Sequence, residues 1–396
     1  MNKKVFAAGA LAITAVAAIL VYVQWSRQQA RLEQLHYEHR ETELVVANQL
    51  GAQVVLFRAG ANLDDTTRVA AFNGRRMWLP AGNYFLQVRH QGRTQHLPVP
   101  LAGYRAGPDD GGAFYVTLRR APQVYPPRLL PGLPEFVFIP SGSFLFGDRL
   151  NPREPHYLWL SSFFIHPFEV SNEEFRVFLR DSAGYADDRN WTAAGRRWKM
   201  ANASQATALL SPQAPDYVRF GQPDQPVVWV NWFEANAYCK WLTRKIGGGR
   251  WLFTLPNEAE WEKAARGPDN FDYGLSLFIS DREIPWYNWK KNPDVPVTVV
   301  GWQQSPTSFR PNRYGLYHMS GNVVEWTQSL LRAFNRERPF RDDDRNHEEA
   351  AGLRVARGGS WYSASVALLY LPYRDAFQPE HSSQDIGFRL VARMLP

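Results

Sequence analysis

The sequence predicts an α+β protein carried behind an apolar N-terminal segment and a small all-β domain. Three observations predict it. Val5 to Val23 form an uncharged, almost wholly apolar run. Residues 44–121 hold short runs rich in β-branched and aromatic residues, punctuated by glycines. Further downstream, three pairs of a Ser or Asn with a Glu three positions later stand among more strand-like phrases, the spacing of a helix capping box. At 396 residues the chain has room for two domains and a membrane segment. Its 45% apolar and 21% charged residues are an ordinary globular balance.

At about 1.5 Å per helical residue, the apolar run nearly crosses a hydrocarbon core of about 30 Å. Lys3 and Lys4 precede it, which favours an N-terminus in the cytoplasm and the bulk of the chain outside. Tyr22 and Trp25 sit where interfacial aromatics belong. The competing reading is a cleaved signal peptide at Ala15-Val16-Ala17, which would leave Ile19 to Val23 as an exposed apolar end. We therefore expect an uncleaved single-pass anchor over 1–25, in a bacterial inner membrane with the bulk periplasmic. Residues 26–43 read as a polar helical stalk, with Trp25, Leu32 and Leu35 hinting at a heptad seam.

Between 44 and 121, Val54–Phe57, Met77–Pro80, Tyr84–His90 and Phe114–Arg120 read as strands, and Gly60, Gly74, Gly82 and Gly92 as turns. The stretch LPAGNYFLQVRHQG alternates inward and outward residues, as a half-buried strand does. This resembles the small sandwiches of PEGA-type domains, although the PEGA tetrad is absent. Pro122, Pro126, Pro127, Pro131 and Pro134 then mark 122–134 as a linker.

The last segment, 135–396, opens with EFVFIPSGSFLFG, which reads as a strand pair around a glycine turn. Ser171 with Glu174, Asn231 with Glu234, and Asn257 with Glu260 each start a predicted helix. In the second helix Ala237/Trp241 and Tyr238/Leu242/Ile246 make a buried stripe, and Gly247 to Gly249 end it. The charged insert at 331–352 reads as a solvated loop.

Four phrases occur in order in this segment: LPNEAEWEKAARG (Leu255–Gly267), YGLYHMSGNVVEWT (Tyr314–Thr327), RVARGGSW (Arg354–Trp361) and IGFRLV (Ile386–Val391). Together they resemble the formylglycine-generating enzyme, or sulfatase-modifying factor, family. The resemblance implies a variant of the C-type lectin fold. It also implies copper, which the family's oxidases bind through two cysteines shortly after RGGS. Those places fall at about Ser363 and Leu368, and the one cysteine of the chain, Cys239, lies far upstream. Cu(I) prefers thiolate donors. A hydroxyl and a hydrocarbon remove the reaction centre, so copper is not expected, and Cys239, on the apolar side of a capped helix, is expected to be buried and inert.

Other chemistry implied by the resemblance is weighed residue by residue. Family members hold a structural calcium at the GNxxEW turn, which carries over to Gly321, Val323 and Glu325 as oxygen donors. His318 stands where an Asn or Asp is usual. Some relatives join the scaffold to an iron-dependent sulfoxide synthase, but the nine histidines here are scattered and form no HxxxH pair on a convincing helix. In this fold the stretch between RGGSW and GFR faces the ligand groove. It offers Trp361, Tyr362, Ser363, Ser365, Tyr370, Tyr373, Arg374, Asp375, Phe377 and His381 as contact residues. Tyr and Ser give broad, adaptable contact area at low entropic cost.

Several classes are excluded by what the sequence lacks. The charge of +7 is spread along the chain without a basic block, so no nucleic-acid partner is expected. There is no P-loop, no GxGxxG opening a helix and no GxSxG elbow, and KIGGGR ends a helix where a phosphate cradle would start one. The expectation is a membrane-anchored binding or regulatory module for a protein or glycan, without a catalytic residue. The enzyme alternative is a metal-dependent oxidase or modifying enzyme, with nonheme iron or another metal.

Overall fold

The computed structural model describes residues 41–72, 76–101, 113–148, 156–290, 299–301, 303, 309–332 and 348–395. The apolar run and nearly all of the stalk lie outside these. No helix among the described residues is long and apolar enough to cross a membrane. Glu41 to Glu43, assigned to the stalk helix from sequence, instead begin a strand.

The strands of the first half are β1 (Glu41–Ala47), β2 (Gln53–Ala59), β3 (Thr66–Ala71), β4 (Arg76–Pro80), β5 (Gly82–His90), β6 (Arg93–Leu101) and β7 (Ala113–Thr117). β2, β4, β5 and β7 are the four runs expected. β1, β3 and β6 carry more charged or polar residues and gave a weaker signal. These strands fall into two sheets, ordered β4-β1-β7 and β3-β2-β5-β6. The first sheet belongs to one compact unit of the chain. The second belongs to a larger unit that takes in Asn48–Asn73, Asn83–Pro100 and Thr117–Pro396.

Within that larger unit follow β8 (Val137–Ile139), β9 (Gly142–Phe146), β10 (His156–Leu160), β11 (Phe163–Ile165), α1 (Asn172–Arg180), α2 (Ala193–Ala201), α3 (Gln205–Leu209) and α4 (Tyr217–Phe220). Then come α5 (Trp232–Ile246), β12 (Trp251–Thr254), α6 (Glu258–Arg266), β13 (Val324–Leu330), β14 (Arg354–Arg357), β15 (Asp375–Phe377), β16 (Ile386–Phe388) and β17 (Val391–Met394). Their sheets are ordered β10-β9, β12-β17-β11-β8 and β15-β14-β13-β16. β8 and β9 do not form the expected pair: β8 pairs with β11 and β9 with β10. Pro140 stands between them and has no N–H with which to continue a ladder.

All three capping boxes are present. Ser171, Asn231 and Asn257 accept from the backbone N–H three residues on, and the glutamate there accepts from the cap's own N–H. α5 is buried along most of its length, from Trp232 to Cys239 and again at Trp241 and Leu242, so it forms the middle of the core instead of one flank. Tyr238 packs against Phe178, Trp241 and Phe388 at centroid distances of 5.6, 5.3 and 5.5 Å. Burying a side chain of this size stabilises the fold by roughly 1.5–3 kcal/mol. Gly248 and Gly249 leave the helix with positive φ, as its expected terminator requires.

The segment expected as a proline-rich linker lies against this core. Tyr125 meets Phe164 edge-on at 5.1 Å and Leu133 is buried. The β3-β2-β5-β6 sheet is also tied in: Phe85, stacked on Phe57 at 5.2 Å, shares a buried cluster with Phe271.

Candidate functional site

The RGGS phrase is a tight crossing between β14 and the C-terminal strands. Gly359 has φ +64°, and a Cβ there would lie 2.4 Å from the Leu368 carbonyl oxygen, so no other residue fits. This close approach brings the Ser363 and Leu368 region back onto the turn. The Ser363 hydroxyl accepts from Ser360 N–H at 2.9 Å, and its carbonyl accepts from the Trp289 indole at 2.9 Å. Ser360 in turn donates to Asp385 at 2.7 Å. Leu368 sits half-buried in the short 3-10 turn Val366–Leu369, capped by Ser365. Neither place offers sulfur or an ionised donor, so the residues present do not fit Cu(I). Cys239 is 1% exposed, and burial pushes its thiol well above the ordinary range. Its burial is the one its helix position suggests.

Arg357 is internal. It pairs with Glu262, with both side chains buried, and donates to the Pro372 and Tyr373 carbonyls. The other groove residues separate into three kinds. Trp361 and Ser363 are core: Trp361 lies under the Arg219 guanidinium at 5.2 Å and beside Phe220 at 6.1 Å. Tyr370 and Arg374 are held by internal partners. Tyr370 donates to Asp148 at 2.7 Å, while Arg374 grips Glu258 at 2.7 and 2.8 Å and donates to the Arg332 carbonyl. Burial raises the Tyr370 hydroxyl above its usual range.

What remains facing solvent is Tyr362, 57% exposed, Tyr373, 37% exposed, and Ser365. Tyr373 reaches Asp375 at 3.4 Å, and burial raises the Asp375 carboxyl. Phe377 stacks on His381 at 4.5 Å with 10° between the rings. Sequence alone cannot separate these three kinds, because a tryptophan after a glycine turn reads the same in a core and on a surface.

The GNVVEW turn is built around a buried ionic network. Glu325 accepts from Arg389 Nε and Nη2, at 2.7 to 3.2 Å, and from the Trp261 indole at 2.8 Å. Its carboxylate is therefore balanced by a fork of donors from Arg389. The donors expected for calcium are the backbone carbonyls of Gly321 and Val323 with the Glu325 carboxylate, so an ion there would share Glu325 with Arg389. Val323 buries its side chain among Phe220, Val228 and Trp361, and Gly321 donates its N–H to the Gly358 carbonyl.

The residues that sequence reasoning missed here are Glu169, Asn288 and Asn322. Asn322 takes φ +63°, donates to Glu169 at 2.9 Å, and accepts from Asn288 and from Val300 N–H at 2.8 and 2.9 Å. His318, also at positive φ, lies 3.3 Å from Glu169. Burial raises Glu169, but His318 and Arg389 outweigh it and hold the carboxyl below the usual range. For Asn322 alone a signal was available, because an Asn after Gly is a common residue for a turn in the left-handed region; Glu169 and Asn288 carried none. Among the described residues, no three His, Cys, Asp or Glu side chains converge as a metal-binding group.

Comparison with known proteins agrees with the phrases. Residues 123–394 match the family described as sulfatase-modifying factor enzyme 1-like domain. The chain is similar to formylglycine-generating enzyme of Bos taurus, at 29% identity over 317 residues, covering 66% of this chain and 75% of that protein. It is similar to hercynine oxygenase of Mycolicibacterium smegmatis, at 31% identity over 283 residues, covering 64% and 60%. Among solved structures, Treponema denticola variable protein 1 aligns over 65% of this chain and 95% of its own, with a TM-score of 0.48 and 23% identity.

Proposed function

The chain belongs to the sulfatase-modifying factor enzyme 1-like family, and from that premise we propose that its C-terminal domain works by binding a protein or glycan partner and not by copper-dependent thiol oxidation. One observation carries this reading. The two places that hold the oxidase's cysteines are a buried, hydrogen-bonded hydroxyl at Ser363 and an aliphatic side chain at Leu368. Binding falls to the side chains that the segment leaves outside, Tyr362 and Tyr373, with Ser365 beside them in sequence. The apolar run at Val5–Val23 behind Lys3 and Lys4 supports an anchored protein whose bulk is periplasmic.

The test has two arms. Purified protein given Cu(I) and a cysteine-containing peptide is expected to leave the thiol unchanged by mass spectrometry; conversion to an aldehyde overturns the reading. Capture of an envelope partner by the native protein is expected to be lost in the Tyr362→Ala/Tyr373→Ala variant. The same partner retained at full strength removes the binding face from those residues.

A second reading, a metal-dependent modifying enzyme, is favoured by the similarity to hercynine oxygenase. Stoichiometric iron in purified protein, together with oxygen consumption, would replace the binding role with that one.

A further inference from the structure

β6 and β8 are each the outer strand of their sheets, and both border one cleft of about 320 Å³. That volume lies within the range of ligand pockets, ~300–1,000 Å³. Residues 93–96 of β6 line it consecutively, and so do residues 136–138 at β8. Side chains alternate along a strand, so consecutive residues line one space only where that space reaches the strand's edge. The cleft is therefore flanked by two stretches of open ladder. Further along β6 the Pro100 carbonyl is already taken by the Tyr157 hydroxyl.

The cleft is also cationic. No Asp or Glu among the described residues lines it. Arg93 has no carboxylate partner among the described residues; it donates to the Tyr125 hydroxyl at 3.1 Å and lies 5.4 Å from that ring's centroid. Arg313, also lining it, spends Nε on Asp269 and Nη2 on Thr66. Tyr314 contributes a buried hydroxyl that has no hydrogen-bond partner among the described residues. Burial, with Arg313 and Arg89 adding to it, lowers His96 to about 4, so this ring is neutral at pH 7 and registers the positive field.

We propose that this cleft holds an extended acidic peptide of a partner protein, laid against the open edges of β6 and β8 with one carboxylate on Arg93. Main-chain pairing with a strand edge supplies affinity in this mode, and a charge-assisted bond to a guanidinium fixes the register. The Tyr314 hydroxyl supplies a donor for a peptide carbonyl, which removes the cost of leaving it buried and unpaired. The site uses no residue of the C-terminal segment, so it stands or falls apart from the role proposed for Tyr362 and Tyr373.

The probe is the peptide acetyl-Val-Glu-Val-Glu-Val-amide, titrated calorimetrically into the purified protein. Its comparators are the Gln-for-Glu peptide, the same acidic peptide N-methylated at alternate residues, and inorganic phosphate. Binding is expected for the acidic peptide alone, weakened about tenfold or more in Arg93→Gln. Bound peptide is expected to lift the His96 titration midpoint, followed by NMR, above its free value of about 4. Tyr314→Phe, which keeps the ring, is the second variant and is expected to weaken binding while the protein's melting temperature holds. Equal binding of the Gln peptide, equal binding of the N-methylated peptide, phosphate binding as tightly, or no binding of the acidic peptide each overturns the proposal.

Discussion

Glu325 and Arg389 face one another inside the domain, with the guanidinium donating through Nε and Nη2 to the carboxylate and neither side chain reaching solvent. Arg389 also donates to the carbonyls of His166 and Tyr317, so it ties the end of β16 to β11 and to the GNVVEW turn. Removing one partner of such a pair leaves an uncompensated buried charge. Arg389→Ala is expected to lose about 3–5 kcal/mol in urea unfolding at pH 7. Arg389→Lys keeps the charge without the planar fork and is expected to fall between the two. If Glu325 served a calcium ion instead, Glu325→Gln would cost less in the presence of a chelator. An equal cost with and without chelator is expected.

Asn257 caps α6 and accepts from Glu260 N–H at 2.8 Å, while Glu260 returns the bond and also pairs with Arg393. Asn257→Ala is expected to destabilise by about 1 kcal/mol. Glu260→Ala loses the Arg393 partner as well and is expected to cost more. Thermal melts of the two variants side by side check the order.

His96 gives the chain an acid-side stability slope. Its folded value of about 4 lies below the ordinary value of 6.5. Between these values the unfolded chain binds the proton and the folded one does not, so stability is full above 6.5 and is lost as pH falls toward 4. His96→Gln is expected to flatten that part of the profile, measured as unfolding free energy from pH 7 to 4. An unchanged slope in the variant would place the titrating group elsewhere.

Cys239 is expected to resist thiol reagents in the native protein and to react on unfolding, because its sulfur is buried and held protonated. Stoichiometric labelling of the folded chain would contradict the packing of α5.

The three helix starts were legible because a capping box is written within four residues, where chain neighbours are also neighbours in space. Strand partnership is not local: nothing within EFVFIPSGSFLFG says that its halves pair with Phe163–Ile165 and with His156–Leu160 and not with each other. The same limit governed the groove. Arg374 looked like a contact residue until Glu258, far away in the chain, appeared 2.7 Å from it. Arg357 likewise meets its partner Glu262 only in the fold, 95 positions away in the chain. The Glu169–Asn322–Asn288 network was not legible, since its three members come from separate parts of the chain and meet only in the fold.

The seam between the β3-β2-β5-β6 sheet and the C-terminal domain is stitched by polar pairs as well as by Phe85 on Phe271. Asn62 donates to Glu283, Arg310 to Asp64, Arg313 to Thr66 and Asn270 to Asn83. A scissor placed at the prolines would therefore not free two self-sufficient halves. It would strip an aromatic face and four matched partners from the larger piece, and a shortened chain beginning there should come out sticky and poorly folded.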